Sequence, residues 1–238
     1  MKIIGLTGFA KSGKSTAAEI LKGMGGKELA FAKHLKDVCS VVFNIPRDHF
    51  DDQAIKEVRF DFERTIQESD ILQILNYFEI SGRFVPETIL RHKGVRLTSP
   101  RHVAQYIGTE MLRNIDSNIH INMAFKLNAD AQTAFLICSD VRFYNELCAV
   151  KDGSGLMVGI SRKAVVPADL QNLHPSEKEI PNLISKSNVI IENESTIEEF
   201  QNEVKDTMLE YLGFRRQNGT DTSSGLGSSN FTLNSSSK

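Results

Sequence analysis

The chain of 238 residues has few cysteines, no long apolar run and almost no net charge. Cys39, Cys138 and Cys148 are odd in number, widely separated and set among apolar or helical neighbours. That spacing argues against a disulfide framework or a thiolate metal site and for buried structural thiols in a reducing compartment. No stretch approaches the ~18 consecutive apolar residues that suggest a membrane span, and Lys11 and Lys14 interrupt the N-terminal apolar segment before it resembles a signal core. A cytosolic protein is the expectation. Lys and Arg total 28 against 30 Asp and Glu, a formal charge of −2. No general basic field draws the chain to nucleic acid or to an anionic membrane, so any anion site must be local. The 40% hydrophobic content is ordinary for a folded chain able to bury a full core.

What the chain does have stands at its start. Residues Gly8-Phe9-Ala10-Lys11-Ser12-Gly13-Lys14-Ser15 satisfy G-x-x-x-x-G-K-[ST] at every fixed position, directly after the apolar run Ile3-Ile4-Gly5-Leu6. The glycines let the backbone curl until successive N–H groups face phosphate oxygens, Lys14 reaches the β- and γ-phosphates, and Ser15 is placed to ligate Mg²⁺. From Lys14 on, Ala17, Ala18, Ile20, Leu21 and Met24 recur at helical spacing, which puts a helix N-terminus and its dipole behind the loop. Strand, loop and helix follow in the order that a nucleoside triphosphate site requires.

Apolar strand candidates at 2–6, 28–32, 134–139, 156–161 and 187–191 alternate with helical patterns, which predicts an α/β fold with a parallel sheet between helices. Ser99-Pro100 reads as a helix start, with Val103, Ile107 and Met111 on one face. In the last helix Ser195 and Glu198 have capping-box spacing, Ile197, Phe200, Val204 and Met208 form an apolar stripe, and Gly213 ends it. Residues 45–98 show charged helix-like segments, such as 51–68, and no central strand; they read as an insertion at the mouth of the site. One domain over 1–216 and a disordered Ser/Gly/Asn/Thr-rich tail over 217–238 complete the layout.

Phosphoryl transfer calls for positioned cations, so Lys and Arg outside the glycine loop matter most. Lys36 follows an expected strand end. Arg101, Gln105, Gly108, Thr109 and Arg113 share part of one helical surface, where a mid-helix Gly108 points to close approach by a backbone or ligand. Asp140 directly follows an apolar strand, as a Walker-B carboxylate does, placing it near Mg²⁺ or a nucleotide, with Arg142 as a phosphate clamp.

Together these features resemble the deoxynucleoside monophosphate kinases of the bacteriophage type, within the P-loop kinases. The resemblance covers residues 1–213 and rests on the glycine loop, Phe31-Ala32 with Leu35-Lys36-Asp37, Arg101 with Gln105 and Gly108-Thr109-Glu110, and Asp140-x-Arg142 with Asn145-Glu146. His174-Pro175-Ser176-Glu177 and the segment 193–200 complete it. It implies an enzyme that moves the γ-phosphoryl of ATP, with Mg²⁺, to a deoxynucleoside 5′-monophosphate, in the host cytoplasm if phage-encoded, and leaves room for a homodimer. It implies Gly8, Lys11, Gly13, Lys14, Ser15 and Thr16 on the donor side and Lys36, Arg64, Gly108, Thr109, Asp140, Arg142, Asn145 and Glu146 on the acceptor side. Arg101 would touch either phosphate group, Ser15 and Asp140 would attend the metal, and Lys14, Arg142 and Asp140 would carry the chemistry. Residues 174–177 would lie in or beside a closing region, or simply start a helix with Ser176 as cap. Where the family usually has a tryptophan, this chain has His120, and it contains no Trp at all. Its rivals are another small-molecule kinase, such as one acting on dephospho-coenzyme A, and a nucleotide-dependent switch or motor component.

Overall fold

A computed structural model describes residues 2–80, 87–169 and 173–213. The central sheet uses β1 (Lys2–Thr7), β2 (Gly26–Glu28), β5 (Phe135–Cys138), β6 (Leu156–Ser161) and β7 (Val189–Glu192), all parallel, in the order β2-β5-β1-β6-β7. A separate antiparallel pair, β3 (Arg64–Thr65) with β4 (Arg96–Leu97), lies in the segment expected to be an insertion and adds nothing to that sheet. The helices are α1 (Lys14–Gly23), α2 (Lys33–Phe43), α3 (Glu68–Tyr77), α4 (Glu87–Leu90), α5 (Pro100–Gln105), α6 (Arg113–Ile115), α7 (Ile119–Leu127), α8 (Tyr144–Asp152), α9 (Pro175–Lys178), α10 (Ile180–Ser185) and α11 (Ile197–Leu212). A π-helical stretch, Tyr106–Leu112, joins α5 to α6.

The sheet forms where it does because its three central strands, β1, β5 and β6, are apolar on both faces. Ile4, Leu6, Phe135, Ile137, Val158 and Ile160 meet α1 and α11 on one side, while Ile3, Leu136, Cys138 and Met157 meet α7, α8 and α10 on the other. A third cluster, including Leu35, Ile66, Ile71, Ile74, Val103, Ile107 and Met111, knits α2, α3 and the α5 region into a helical lobe beside the sheet. From β1 the chain crosses to β2 on one side; from the adjacent β5 it crosses to β6 on the other. A crevice opens at the carboxyl ends of such strands, and both the glycine loop and Asp140 begin there.

Several local expectations shift. The second strand ends at Glu28 and does not run to Ala32, because the N–H groups of Phe31 and Ala32 turn away to the Asp140 carboxylate (2.8 and 3.0 Å). Residues 51–63 are turns, not helix; Asp52 accepts the N–H of Ala54 at 2.7 Å, a local turn that competes with helix, which begins only at Glu68. The last helix is capped one residue later than its spacing suggested. Thr196 accepts from the N–H of Glu199, whose carboxylate accepts the N–H of Thr196 in return, and Ile197 is 68% exposed, leaving Phe200, Val204 and Met208 as the buried stripe. His174 caps α9 in place of Ser176, which is buried. Ser99 does cap α5, accepting from the N–H of His102. Cys39 and Cys138 are buried and Cys148 half-buried, all free. The tail at 217–238 lies outside the described residues.

Candidate active site

The glycine loop leaves β1 at Thr7 and closes into α1 at Lys14. Gly13 sits at φ 114°, and a Cβ there would come within 2.7 Å of Asn193 Nδ2 and 3.0 Å of Phe200 Cζ, so both conformation and space demand glycine. Asn193 in turn donates to the Ser12 carbonyl at 2.9 Å, tying the loop to the end of β7. No side chain caps α1 and no acidic residue occupies its first turn, so its N–H groups and the positive end of its dipole are left for an anion. The hydroxyls of Thr7 and Ser12 are buried and unpartnered among the described residues. Lys14 Nζ donates to the carbonyls of Gly8 and Phe9, each at 2.7 Å. Lys11, Gly13, Lys14, Ser15, Thr16 and Arg162 line a cavity of about 400 Å³, floored by Asn193 and Phe200. Gly8 shapes the loop behind it.

A second cavity, of about 190 Å³, lies between the carboxyl ends of β2 and β5 and the helical lobe. Lys36, Lys56, Arg101, Arg113 and Arg142 face it together with Gly108, Thr109, Asp140 and Glu146. Lys36 pairs with Asp51 at 2.7 Å, and Arg101 with Glu57 at 2.9 Å and Glu177 at 2.5 Å. Lys56 and Arg142 make no ion pair among the described residues. Two cations without their own carboxylates, beside Lys36, which an exposed carboxylate holds only weakly, make a wall suited to a multiply charged anion.

Lys14 lines the first cavity and not the second. Burial pulls its pKa down to about 8; the charge of Arg142 acts in the same direction, while Asp140 and Glu177 oppose it. Residues of the second cavity are therefore within electrostatic reach of the amine that lines the first.

Asp140 has both oxygens engaged by the N–H groups of Phe31 and Ala32, so it holds the β2–α2 turn, and each oxygen keeps a further lone pair. Ser15 lines the loop cavity. Among the described residues no group of three or more His, Cys, Asp or Glu could hold a metal. A hydroxyl and a carboxylate suit Mg²⁺, which commonly takes one or two protein oxygens and completes its shell with water and phosphate. Burial raises the pKa of the Glu146 carboxyl, opposed by the Arg113 guanidinium that donates to it. Gly108 is explained by packing: a Cβ would meet Leu35 Cδ2 at 2.5 Å, and its carbonyl accepts from His120 Nε2 at 3.1 Å. His120 lines the second cavity, and burial lowers its pKa to about 4, so it stands there as a neutral ring.

The structure brings together most of the residues singled out in the sequence. Two stand apart. Arg64 is on β3, its guanidinium 5.1 Å from the ring centres of both Phe60 and Phe62, and Asn145 bonds to the Ser117 carbonyl and Asn118; neither lines the second cavity. Three contributors receive no site role from the sequence, Asn193 among them although it opens the segment 193–200 of the resemblance. Arg162 directly follows β6, so the strand-end rule that found Asp140 would have found it. Asn193 follows β7 in the same way. Lys56 lies in a turn without periodicity, and no local pattern marks it.

No family model matches the chain. It is 28% identical over 218 residues to a protein of Acanthamoeba polyphaga mimivirus provisionally named a deoxynucleotide monophosphate kinase, across 86% of this chain and 94% of that one. Among solved structures it is similar to a Thermus thermophilus protein (TM-score 0.45, 13% identity, 88% of this chain and 97% of that one) and to dephospho-CoA kinase from Campylobacter jejuni (TM-score 0.44, 15% identity, 90% and 98%).

Proposed function

We propose that this chain is a phosphotransferase that moves the γ-phosphoryl of ATP to the phosphate of a deoxynucleoside 5′-monophosphate. The observation that carries the reading is the position of Lys14, which lines the glycine-loop cavity while the charges of Asp140 and Arg142, in the wall of the second, reach it. The mimivirus relative supports the acceptor class.

In this reading the loop N–H groups and α1 hold the donor phosphates, and Arg162 and Asn193 border the rest of that nucleotide. Lys36, Lys56 and Arg101 take the acceptor phosphate. Mg²⁺, held from Ser15 and Asp140, would neutralise phosphate charge. Lys14 and Arg142 stabilise the charge that spreads over the transferring group, the main task a protein has in this chemistry. No general base is needed, since a phosphate monoester with a second pKa of about 6 is largely deprotonated at neutral pH. Alignment of two anions inside a cationic crevice supplies the rest.

The test is a panel of acceptors assayed for ADP and for the phosphorylated product by chromatography. Turnover of deoxynucleoside monophosphates is expected. Turnover of dephospho-coenzyme A alone, or ATP hydrolysis stimulated by DNA with no phosphorylated small product, would overturn the reading.

A further inference from the structure

Glu146 was expected to meet the acceptor, yet its carboxylate is committed to the protein. It is 3% exposed, and Oε2 accepts the backbone N–H of Arg142 at 2.7 Å and of Phe143 at 3.1 Å. Oε1 receives the Arg113 guanidinium. Arg113 also lies 3.7 Å over the centre of the Phe143 ring and donates to the Ser117 carbonyl at 3.0 Å. It directly follows the π-helical stretch that carries Gly108 and Thr109. One buried ion pair thus joins two walls of the second cavity: the helix with Gly108-Thr109, and the turn after β5 from which Arg142 projects.

Free rotation of that turn would let Arg142, which has no ion-pair partner of its own among the described residues, wander over the crevice. Two backbone N–H bonds to one fixed carboxylate remove that freedom at its root. We infer that Glu146 and Arg113 are positioning residues, whose joined side chains set Arg142 on the transferring phosphoryl group. The inference rests on the phosphotransferase reading and changes the part Glu146 plays in it. Breaking a buried pair also costs stability, because the surviving charge is left uncompensated. The test must therefore separate position from fold.

A double-mutant cycle does so. Glu146→Gln, Arg142→Ala and the double variant are compared for kcat and acceptor KM, on whichever phosphoryl acceptor the wild type uses, so that the substrate assignment can fail while the cycle stands. Expected is a fall in kcat of ~10–100-fold for Glu146→Gln, with acceptor KM changed less than ~3-fold, and less than a further ~2-fold fall when the same change is made beside Arg142→Ala. Arg113→Lys keeps a cation next to Glu146 but loses the planar fork, and it should repeat the non-additivity in milder form if the first variant folds poorly. Effects that multiply in the double variant, or a Glu146→Gln defect confined to acceptor KM, would overturn the inference. A purely structural role would lower the melting temperature while leaving the two kinetic effects multiplicative.

Discussion

Replacing Lys14 with methionine should abolish two pH dependences of opposite sign at once. The lysine is held with its pKa near 8, against 10.5 when free, mainly by burial and then by Arg142. Its folded value is below its unfolded value, so between pH 8 and 10.5 the unfolded chain binds the extra proton and folding stability rises with pH; it falls again as pH drops back through that window. The full shift is worth ~3 kcal/mol at 1.36 kcal/mol per unit, of which ~2 kcal/mol is expressed between pH 7.5 and 9.5. Urea unfolding of the wild type and Lys14→Met at several pH values isolates this contribution, since every other titrating group is common to both. The wild type should gain ~2 kcal/mol on the variant across that interval. Activity runs the other way: only the ammonium form attracts phosphate, so kcat/KM for ATP, which reports the free enzyme, should fall tenfold per pH unit above about 8. Lys14→Met should show no turnover at any pH. Parallel stability curves for the two proteins, or a flat kcat/KM profile up to pH 10, would refute the claim that this amine is a buried cation kept for an anion.

Two further perturbations test the two cavities separately. Gly13→Ala forces a side chain into a left-handed backbone and against Asn193 and Phe200, which should cost ~2–4 kcal/mol and lower the melting temperature by roughly 5–10 °C, with loss of thermal protection by ATP; an unchanged melting temperature would remove the packing argument for the loop. Lys56→Ala should raise acceptor KM ~10-fold and leave ATP KM and kcat within ~2-fold, because it removes a ground-state contact to one anion only; an effect on ATP instead would move Lys56 to the other nucleotide.

What the sequence made legible follows from how local each signal is. The central strands announce themselves because they are buried on both faces and read as short continuous apolar runs. The glycine loop is equally plain, since close backbone approach at Gly13 tolerates no other residue. Caps blur by one position, as Thr196 and Ser195 offer the same hydroxyl chemistry and only the geometry at Glu199 chooses between them. Tertiary pairing is what sequence could not supply. The Asp140 carboxylate ends β2 more than a hundred residues earlier in the chain, and Arg113 claims the carboxylate of Glu146. Lys56 joins the site because its carbonyl accepts the N–H of Arg101 at 2.8 Å, a contact that leaves no trace in its neighbours' pattern.

The central claim is that two nucleotides meet end to end across Lys14. Incubation with ATP labelled in its γ-phosphoryl group, Mg²⁺ and a deoxynucleoside monophosphate tests it most directly. The account predicts that the label leaves ATP only when acceptor is present and is recovered in the deoxynucleoside diphosphate. Label released as inorganic phosphate at the same rate with and without acceptor would contradict it.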